Sequence, residues 1–391
     1  MQRSNGRILT THTGSLPRPT DLLEAMRARE MGQPFDQSAF EQRLKEAVAE
    51  NVRRQVAVGI DIVNDGEVGK PSFQAYVLER ISGFEARPLP EVADRPSGPI
   101  DPNGRDAQQF PDYYEYVLAH SPFTNTIRMA PRVCVGPVRY VGQHLVQRDI
   151  VNLQAATAGL NVVEAFLPSL SPVPMVGLNE HYGSEEEYAV AYADAMREEY
   201  RLILDAGLLL QIDDPRMVSA WDSRHDLSLD EYRREAQRRV ELINYALRDL
   251  PQDRIRYHTC YGVNFGPRVS DLQLEDVIDL LFQIQAGAYS FEAANPRHEH
   301  EWRLFERVQV PEGKVLIPGM VTHSNVMIEH PQAVADRIER WAHTVGRENL
   351  IVGNDCGFAS TAGNAEIPPT VAWAKLQALS EGAQIVSRRL L

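Results

Sequence analysis

Only three cysteines, Cys134, Cys260 and Cys356, occur among 391 residues. An odd number in so long a chain argues against a disulfide framework and leaves thiols to act as ligands or as buried core. Basic residues are also short: 40 Lys and Arg face 54 Asp and Glu, a formal net charge of −14 at pH 7, with no long cationic run. That balance disfavours nucleic acid and anionic membrane surfaces as partners and points to small molecules. No apolar stretch approaches the roughly 18 residues of a membrane span, and the N-terminus has no signal character, so a cytoplasmic protein without membrane attachment is expected. Cys134 has no polar pattern around it and is expected in the core.

What is present is a rhythm. Eight short apolar, β-rich runs, at about 8–15, 60–67, 162–169, 208–214, 254–261, 288–293, 315–321 and 350–356, alternate with helix-patterned segments. Helical patterning is clearest over 39–58, 185–206, 229–250, 274–286, 331–345 and 368–386. Ser184 before Glu185-Glu186-Glu187 forms a Ser-x-x-Glu capping signal, and Ser270-Asp271 precedes another predicted helix. Eight such units predict an α/β fold, a (β/α)8 TIM barrel spanning residues 1–391 as one domain. A Pro/Gly-rich tract over 86–110, with Pro88, Pro90, Pro96, Pro99 and Pro102, breaks the rhythm after the second unit. With a hairpin expected over 130–141, the insertion covers about 86–141.

The late strand ends carry the chemistry. His258 and Cys260 lie in Tyr257-His258-Thr259-Cys260-Tyr261, Glu292 in Ser290-Phe291-Glu292-Ala293, His323 in Val321-Thr322-His323-Ser324-Asn325, and Cys356 in Asn354-Asp355-Cys356-Gly357. From Cys260 to Glu292, to His323 and to Cys356 the steps are 32, 31 and 33 residues, about one strand-plus-helix unit each. In a barrel the strand C-termini share one mouth, so these groups would meet there. His258 and Cys260 are i and i+2 on a predicted strand and face the same way. Such a pair alone is more often packing; the Glu and Cys in phase with it favour a metal site. Two thiolates, an imidazole and a carboxylate suit zinc better than all-oxygen magnesium or calcium sites. Glu292 is the exchangeable member, because soft thiolates hold zinc while a substrate thiol displaces a carboxylate.

Other strand ends offer less specific groups. His323 is placed either as a general acid or as a loop histidine with a structural hydrogen bond. Glu67 in Asn64-Asp65-Gly66-Glu67 and Asp213 in Gln211-Ile212-Asp213-Asp214-Pro215 either bind a substrate ammonium or cap helices. Gly14 and Ser15 offer backbone N–H groups to an anion, or simply make a tight turn.

In order along the chain, Thr13-Gly14-Ser15-Leu16-Pro17-Arg18, Asp65-Gly66-Glu67, Gln211-Ile212-Asp213-Asp214-Pro215, His258-Thr259-Cys260-Tyr261, Glu292, His323-Ser324-Asn325 and Asn354-Asp355-Cys356-Gly357 resemble the cobalamin-independent methionine synthase family, in its C-terminal catalytic barrel. The resemblance covers nearly the whole chain. It implies a Zn2+ cofactor held by His258, Cys260, Glu292 and Cys356, a catalytic role for His323, and homocysteine contacts at Ser15, Glu67 and Asp213.

Two departures accompany it. The family's full-length plant and bacterial enzymes carry a second, N-terminal barrel that this chain lacks. No tryptophan occurs in 167–182, where the family places one against the folate pteridine, so Tyr182 or His181 would have to stack instead. The expected activity is zinc-dependent thiol alkyl transfer, foremost methyl transfer from a donor such as a methylated folate to homocysteine, giving methionine. Two carboxylates, Glu67 and Asp213, favour an amino-acid thiol. The alternatives are epoxide opening by a zinc-bound thiolate, as in the similar epoxyalkane:coenzyme M transferases, and a non-catalytic zinc- or metabolite-binding barrel. A homo-oligomer is compatible with all three.

Overall fold

A computed structural model describes residues 1–87, 103–120, 132–175, 177–262, 265–363 and 367–390. Eight parallel strands form its main sheet: β1 (Leu9–Thr10), β2 (Ile62–Val63), β5 (Glu164–Leu170), β7 (Leu209–Asp213), β8 (Ile255–His258), β9 (Ala288–Phe291), β10 (Val315–Val321) and β11 (Ile351–Asn354). Their order is β1-β11-β10-β9-β8-β7-β5-β2. The two end strands meet where the Asp61 N–H donates to the Thr10 carbonyl at 3.2 Å, which brings the sheet round into a nearly closed (β/α)8 barrel. Each of the eight predicted runs contains one of these strands, though in the first two only Leu9–Thr10 and Ile62–Val63 are strand.

The strands read as apolar runs because parallel strands of a barrel are covered on both faces. Leu9, Ile62, Phe166, Leu209, Ala288, Val315, Ile317 and Ile351 make a cluster of their own, separate from the larger one that the surrounding helices share. β8 contributes Arg256 instead, fully buried, stacked at 4.0 Å over Phe166 and donating to Thr11 Oγ1 and the His12 carbonyl. Each apolar side chain so buried contributes roughly 1.5–3 kcal/mol. In β10, Gly319 lets β11 come close: a Cβ there would overlap the Asp355 carboxylate and meet its backbone N at 2.7 Å.

Helices Gln37–Ala57, Glu185–Asp205, Leu229–Leu247, Pro331–Val345 and Pro369–Leu390 match predicted segments. Glu185–Asp205 buries Tyr188, Tyr192, Met196, Glu199, Tyr200 and Ile203, one stripe at helical spacing. Half of its predicted capping box forms: Ser184 Oγ accepts the Glu187 N–H, but the Glu187 carboxylate accepts from Gly183. The helix expected over 274–286 is shorter, a 3-10 turn Leu274–Asp276 and a single α-turn Ile278–Leu281, because Val277 leaves the helical region at φ −137°. Helices Thr20–Glu30, Gln143–Thr157 and Arg216–Ser223 were not foreseen.

The excursion runs between β2 and Gln143–Thr157. Its prolines Pro88, Pro90, Pro96, Pro99 and Pro102 lie outside the described residues. Two short helices, Arg105–Gln109 and Pro111–Ala119, follow. Of the hairpin expected over 130–141, residues 130 and 131 lie outside the described residues, and the rest does not pair with itself. Instead β4 (Arg132–Cys134) pairs antiparallel with β3 (Phe84–Ala86) and parallel with β6 (Leu178–Asn179), a three-stranded sheet beside the barrel. Cys134 is buried, as expected. Among the described residues no helix is long and apolar enough to cross a membrane.

Candidate metal and substrate site

Every residue singled out by position lies at, or just beyond, a strand C-terminus. His258 ends β8 and Cys260 follows two residues later, outside the ladder rather than on it. Cys356 lies two residues past β11, His323 two past β10, Glu292 one past β9, and Asp213 ends β7. Ser15 and Glu67 sit in the turns after β1 and β2. All eight are buried.

His258, Cys260 and Cys356 present ligand atoms within 4.8 Å of one another. The two Sγ atoms are 3.2 Å apart, too far for a disulfide near 2.05 Å. Nδ1 of His258 pairs with Ser290 Oγ at 3.1 Å, while Nε2 is buried with no partner among the described residues. A buried ring nitrogen without a partner is costly unless something binds it. Burial first, then Arg256 and His323, pull the His258 pKa down to about 3, so the imidazole is the neutral form that metals need. A neutral imidazole oriented by a hydroxyl and two thiols at one point fit a zinc-type ion.

Glu292 is placed differently. It groups with His323 and Asp355. Its Oε1 accepts the Tyr261 N–H at 2.9 Å, and its Oε2 accepts from Arg268 Nη2 at 2.9 Å and Asn295 Nδ2 at 2.8 Å. Asp355, beside Cys356 and within reach of the same group, has the lone pairs of both oxygens committed to N–H donors. Its Oδ1 takes the N–H groups of Ala293 and Ala294, and its Oδ2 takes the N–H and Nδ2 of Asn295. His323 Nε2 pairs with the Gly262 carbonyl at 3.2 Å, and Nδ1 is buried without a partner among the described residues. Burial lowers its pKa to about 4 against the opposing pull of Asp355, so His323 is neutral at pH 7.

Across the mouth, Glu67, Asp213, Ser15 and the Cys356 turn come together. A Cβ on Gly14 would meet Glu67 Oε1 at 2.5 Å, and one on Gly357 would overlap Ser15 Oγ. Ser15 also accepts the Phe358 N–H on its carbonyl at 2.9 Å. Burial and the neighbouring Glu67 charge hold Asp213 well above the usual carboxylate range; Gln211 Nε2 donates to it at 2.7 Å. Lys70, unremarked in the sequence, lies 3.5 Å from Glu67 Oε2 and 4.2 Å over the Tyr76 ring. It offsets part of the negative charge an ammonium would meet. Tyr182 is already engaged: its ring packs on Tyr188 and its hydroxyl accepts the Val138 N–H at 2.8 Å.

Position-based reasoning missed Arg268, Asn295, Ser290 and Lys70. None lies at a strand end in phase with the ligands, except Ser290, whose i−2 spacing from Glu292 was readable.

Residues 177–376 match the family model described as the catalytic domain of cobalamin-independent synthases. A methionine synthase of Thermococcus kodakarensis is 25% identical over 384 residues, covering 97% of this chain and 94% of its own length. One from Sulfurisphaera tokodaii is 22% identical over 385 residues, covering 97% and 93%. Among solved structures, a B12-independent methionine synthase from a Shewanella species, in complex with selenomethionine, superposes with a TM-score of 0.72 at 22% identity, covering 98% of this chain and 99% of that one.

Proposed function

The chain belongs to the cobalamin-independent methionine synthase family, and from that premise we propose that it is a zinc-dependent methyltransferase converting homocysteine to methionine. The proposal takes residues 1–391 as one barrel domain with an excursion at about 86–141. The observation that carries it is the convergence of His258, Cys260 and Cys356, with Nε2 of His258 buried and without a partner among the described residues. The matching relatives bear the name methionine synthase over nearly their full lengths.

His258, Cys260 and Cys356 would hold the ion, with Glu292 as its fourth, exchangeable ligand. Zinc, when bound, favours the thiolate over the thiol and so supplies a nucleophile at neutral pH. Ser290 fixes the His258 ring so that Nε2 faces the ligand point. Glu67 and Asp213 receive the ammonium of the amino-acid thiol, and Ser15 closes the same end. Lys70 keeps the two carboxylates from being doubly uncompensated before substrate arrives. His323, neutral in this state, would take a proton from solvent at Nδ1, which has no partner among the described residues, and deliver it to the leaving atom as the bond from that atom to the methyl carbon breaks and the carbon–sulfur bond forms. The methyl donor, a methylated folate in the leading version, would have to be held without a tryptophan in 167–182. Cytoplasmic action and a homo-oligomeric state are compatible with the same reading.

Cobalt(II) in place of zinc tests it. Homocysteine, coenzyme M, glutathione and cysteine are added separately while the visible and near-ultraviolet spectrum is followed. New thiolate-to-cobalt intensity with homocysteine is expected. A response to coenzyme M alone would transfer the reading to epoxide opening, and a tetrahedral spectrum that no thiol alters would leave a non-catalytic zinc barrel.

A further inference from the structure

Arg268 has no part in the roles above, yet its backbone and its guanidinium Nε and Nη2 are all engaged at the mouth. It lies in the loop after β8 with φ +57°, a left-handed conformation uncommon outside glycine. That backbone is clamped from two sides. Its own N–H and that of Val269 donate to the two carboxylate oxygens of Asp106, at 2.8 and 3.0 Å. The carbonyls of the same two residues accept from the Arg297 guanidinium at 3.0 and 3.1 Å. Asp106 belongs to the excursion helix Arg105–Gln109, is 2% exposed, and also accepts from Tyr114 Oη at 2.9 Å. The excursion therefore sets the position of a loop on the barrel mouth.

What the clamp presents is a buried guanidinium. Nη2 donates to Glu292 Oε2 at 2.9 Å, Nε donates to Asp271 Oδ2 at 2.7 Å, and the group lies 5.1 Å over the Tyr261 ring. The Tyr261 N–H and the Asn295 amide complete a cradle for Glu292. The carboxylate proposed as the fourth ligand is thus fully engaged, while the other three ligands form a group without it.

We propose that Arg268 is the docking residue for Glu292 when that carboxylate is off the metal, and that Asp106 of the excursion keeps the dock in place. It rests on the zinc reading above. With the substrate thiol bound and its proton lost to solvent, Glu292 would be free of the ion, and the released carboxylate would meet donors already in place instead of standing uncompensated in a buried site. Arg268 is a positioning residue: it touches neither substrate nor reacting atoms, and it shifts the balance between metal-bound and released Glu292.

The test uses zinc-loaded protein in competition with a chromophoric chelator, and cobalt(II) protein titrated with homocysteine. Loss of a charge-assisted dock is worth about tenfold. Arg268→Gln is expected to hold zinc about tenfold more tightly and to need about tenfold more homocysteine for the half-maximal spectral change. Arg268→Lys, which keeps the charge, should stay within about threefold of wild type. In a Glu292→Gln background the Arg268→Gln effect should vanish. Asp106→Asn, which does not touch Glu292, should move both readouts in the same direction by less, and it carries the test if Arg268→Gln does not fold. Wild-type behaviour in Asp106→Asn and Arg268→Gln, or weaker zinc in Arg268→Gln, overturns the dock while leaving the zinc reading standing. A wild-type protein that binds no zinc overturns both.

Discussion

Two trios of ligand-type side chains sit side by side at the barrel mouth, one built on two thiols and the other on two engaged carboxylates. His258, Cys260 and Cys356 converge with a buried ring nitrogen left over. Glu292, His323 and Asp355 converge equally well, and His323 Nδ1 is likewise without a partner among the described residues, but the two carboxylates are engaged, Asp355 by four N–H donors and Glu292 by Tyr261, Asn295 and Arg268. Proximity alone would call both metal sites. The difference teaches that hydrogen-bond satisfaction sets Asp355 apart from the ligand set: a carboxylate with four N–H donors on its two oxygens has little left to give an ion, whereas Glu292, with a single donor on Oε1, can still exchange onto one. Chemistry points the same way, since the first trio brings two soft sulfurs.

The sharpest way to break the comparison is to remove a sulfur. Cys260→Ser and Cys356→Ser should each weaken zinc binding by at least about a thousandfold, because even partners outside the ligand shell typically cost 10- to 100-fold. Chelator competition and metal analysis of the purified variants measure it. Asp355→Asn, one residue from Cys356, should change affinity far less. Full zinc occupancy in both serine variants would remove the distinction between the trios altogether.

Asp355 carries the next effect, on stability rather than on metal. Three backbone N–H groups and the Asn295 amide end on its two oxygens in a fully buried site. Asp355→Ala strands them. Each stranded group costs about 1–3 kcal/mol, and relaxation of the 293–295 turn recovers part, so a loss of about 2–3 kcal/mol is expected. Urea unfolding at constant slope would show it. An unchanged midpoint would mean that the second trio is not held together in the way its geometry implies.

The first trio was legible in sequence, and so were Glu292 and His323 of the second; the part played by Asp355 and the engagement of Glu292 were not. His258, Cys260, Glu292, His323 and Cys356 share a period of one strand-plus-helix unit, and a barrel turns such a period into a common site. Even Cys260, which falls outside β8, lands where the phase requires. Arg268 has no phase. It follows Gly266-Pro267 in a loop, and its backbone anchor Asp106 is 162 residues away, in a tract that reads only as an interruption. Glu292 could be recognised as a ligand type, but its engagement by Arg268 depends on that long-range contact. The helix Gln143–Thr157 escaped for a local reason: Gly142 precedes it with no side-chain cap, so its start is unmarked. The small sheet of β3, β4 and β6 escaped because its strands are two or three residues long and come from three separate segments.

The smallest expected effect probes how the second trio is braced. His298 is buried between Asp271 Oδ2, 3.0 Å from Nε2, and Glu301 Oε2, 3.1 Å from Nδ1, and stacks on Tyr261 at 4.1 Å. Asp271 is also a partner of Arg268, and the Tyr261 N–H is a donor to Glu292, so this histidine backs the cradle. Burial pulls its pKa down, but the hydrogen bonds to Asp271 and Glu301 outweigh that and raise it to about 9. The folded value lies above the unfolded value near 6.5. Its contribution is therefore fully present below about pH 6.5 and is lost as pH rises through about 9. Between pH 7 and 9 the loss is at most about 2 kcal/mol. Denaturation of wild type and His298→Gln at pH 6.5, 8 and 9.5 should show a stability gap that narrows steadily with rising pH. A gap that stays constant would mean that His298 is neutral in the folded protein. The brace would then rest on neutral hydrogen bonds, and Asp271 would depend on Arg268 alone for its positive partner.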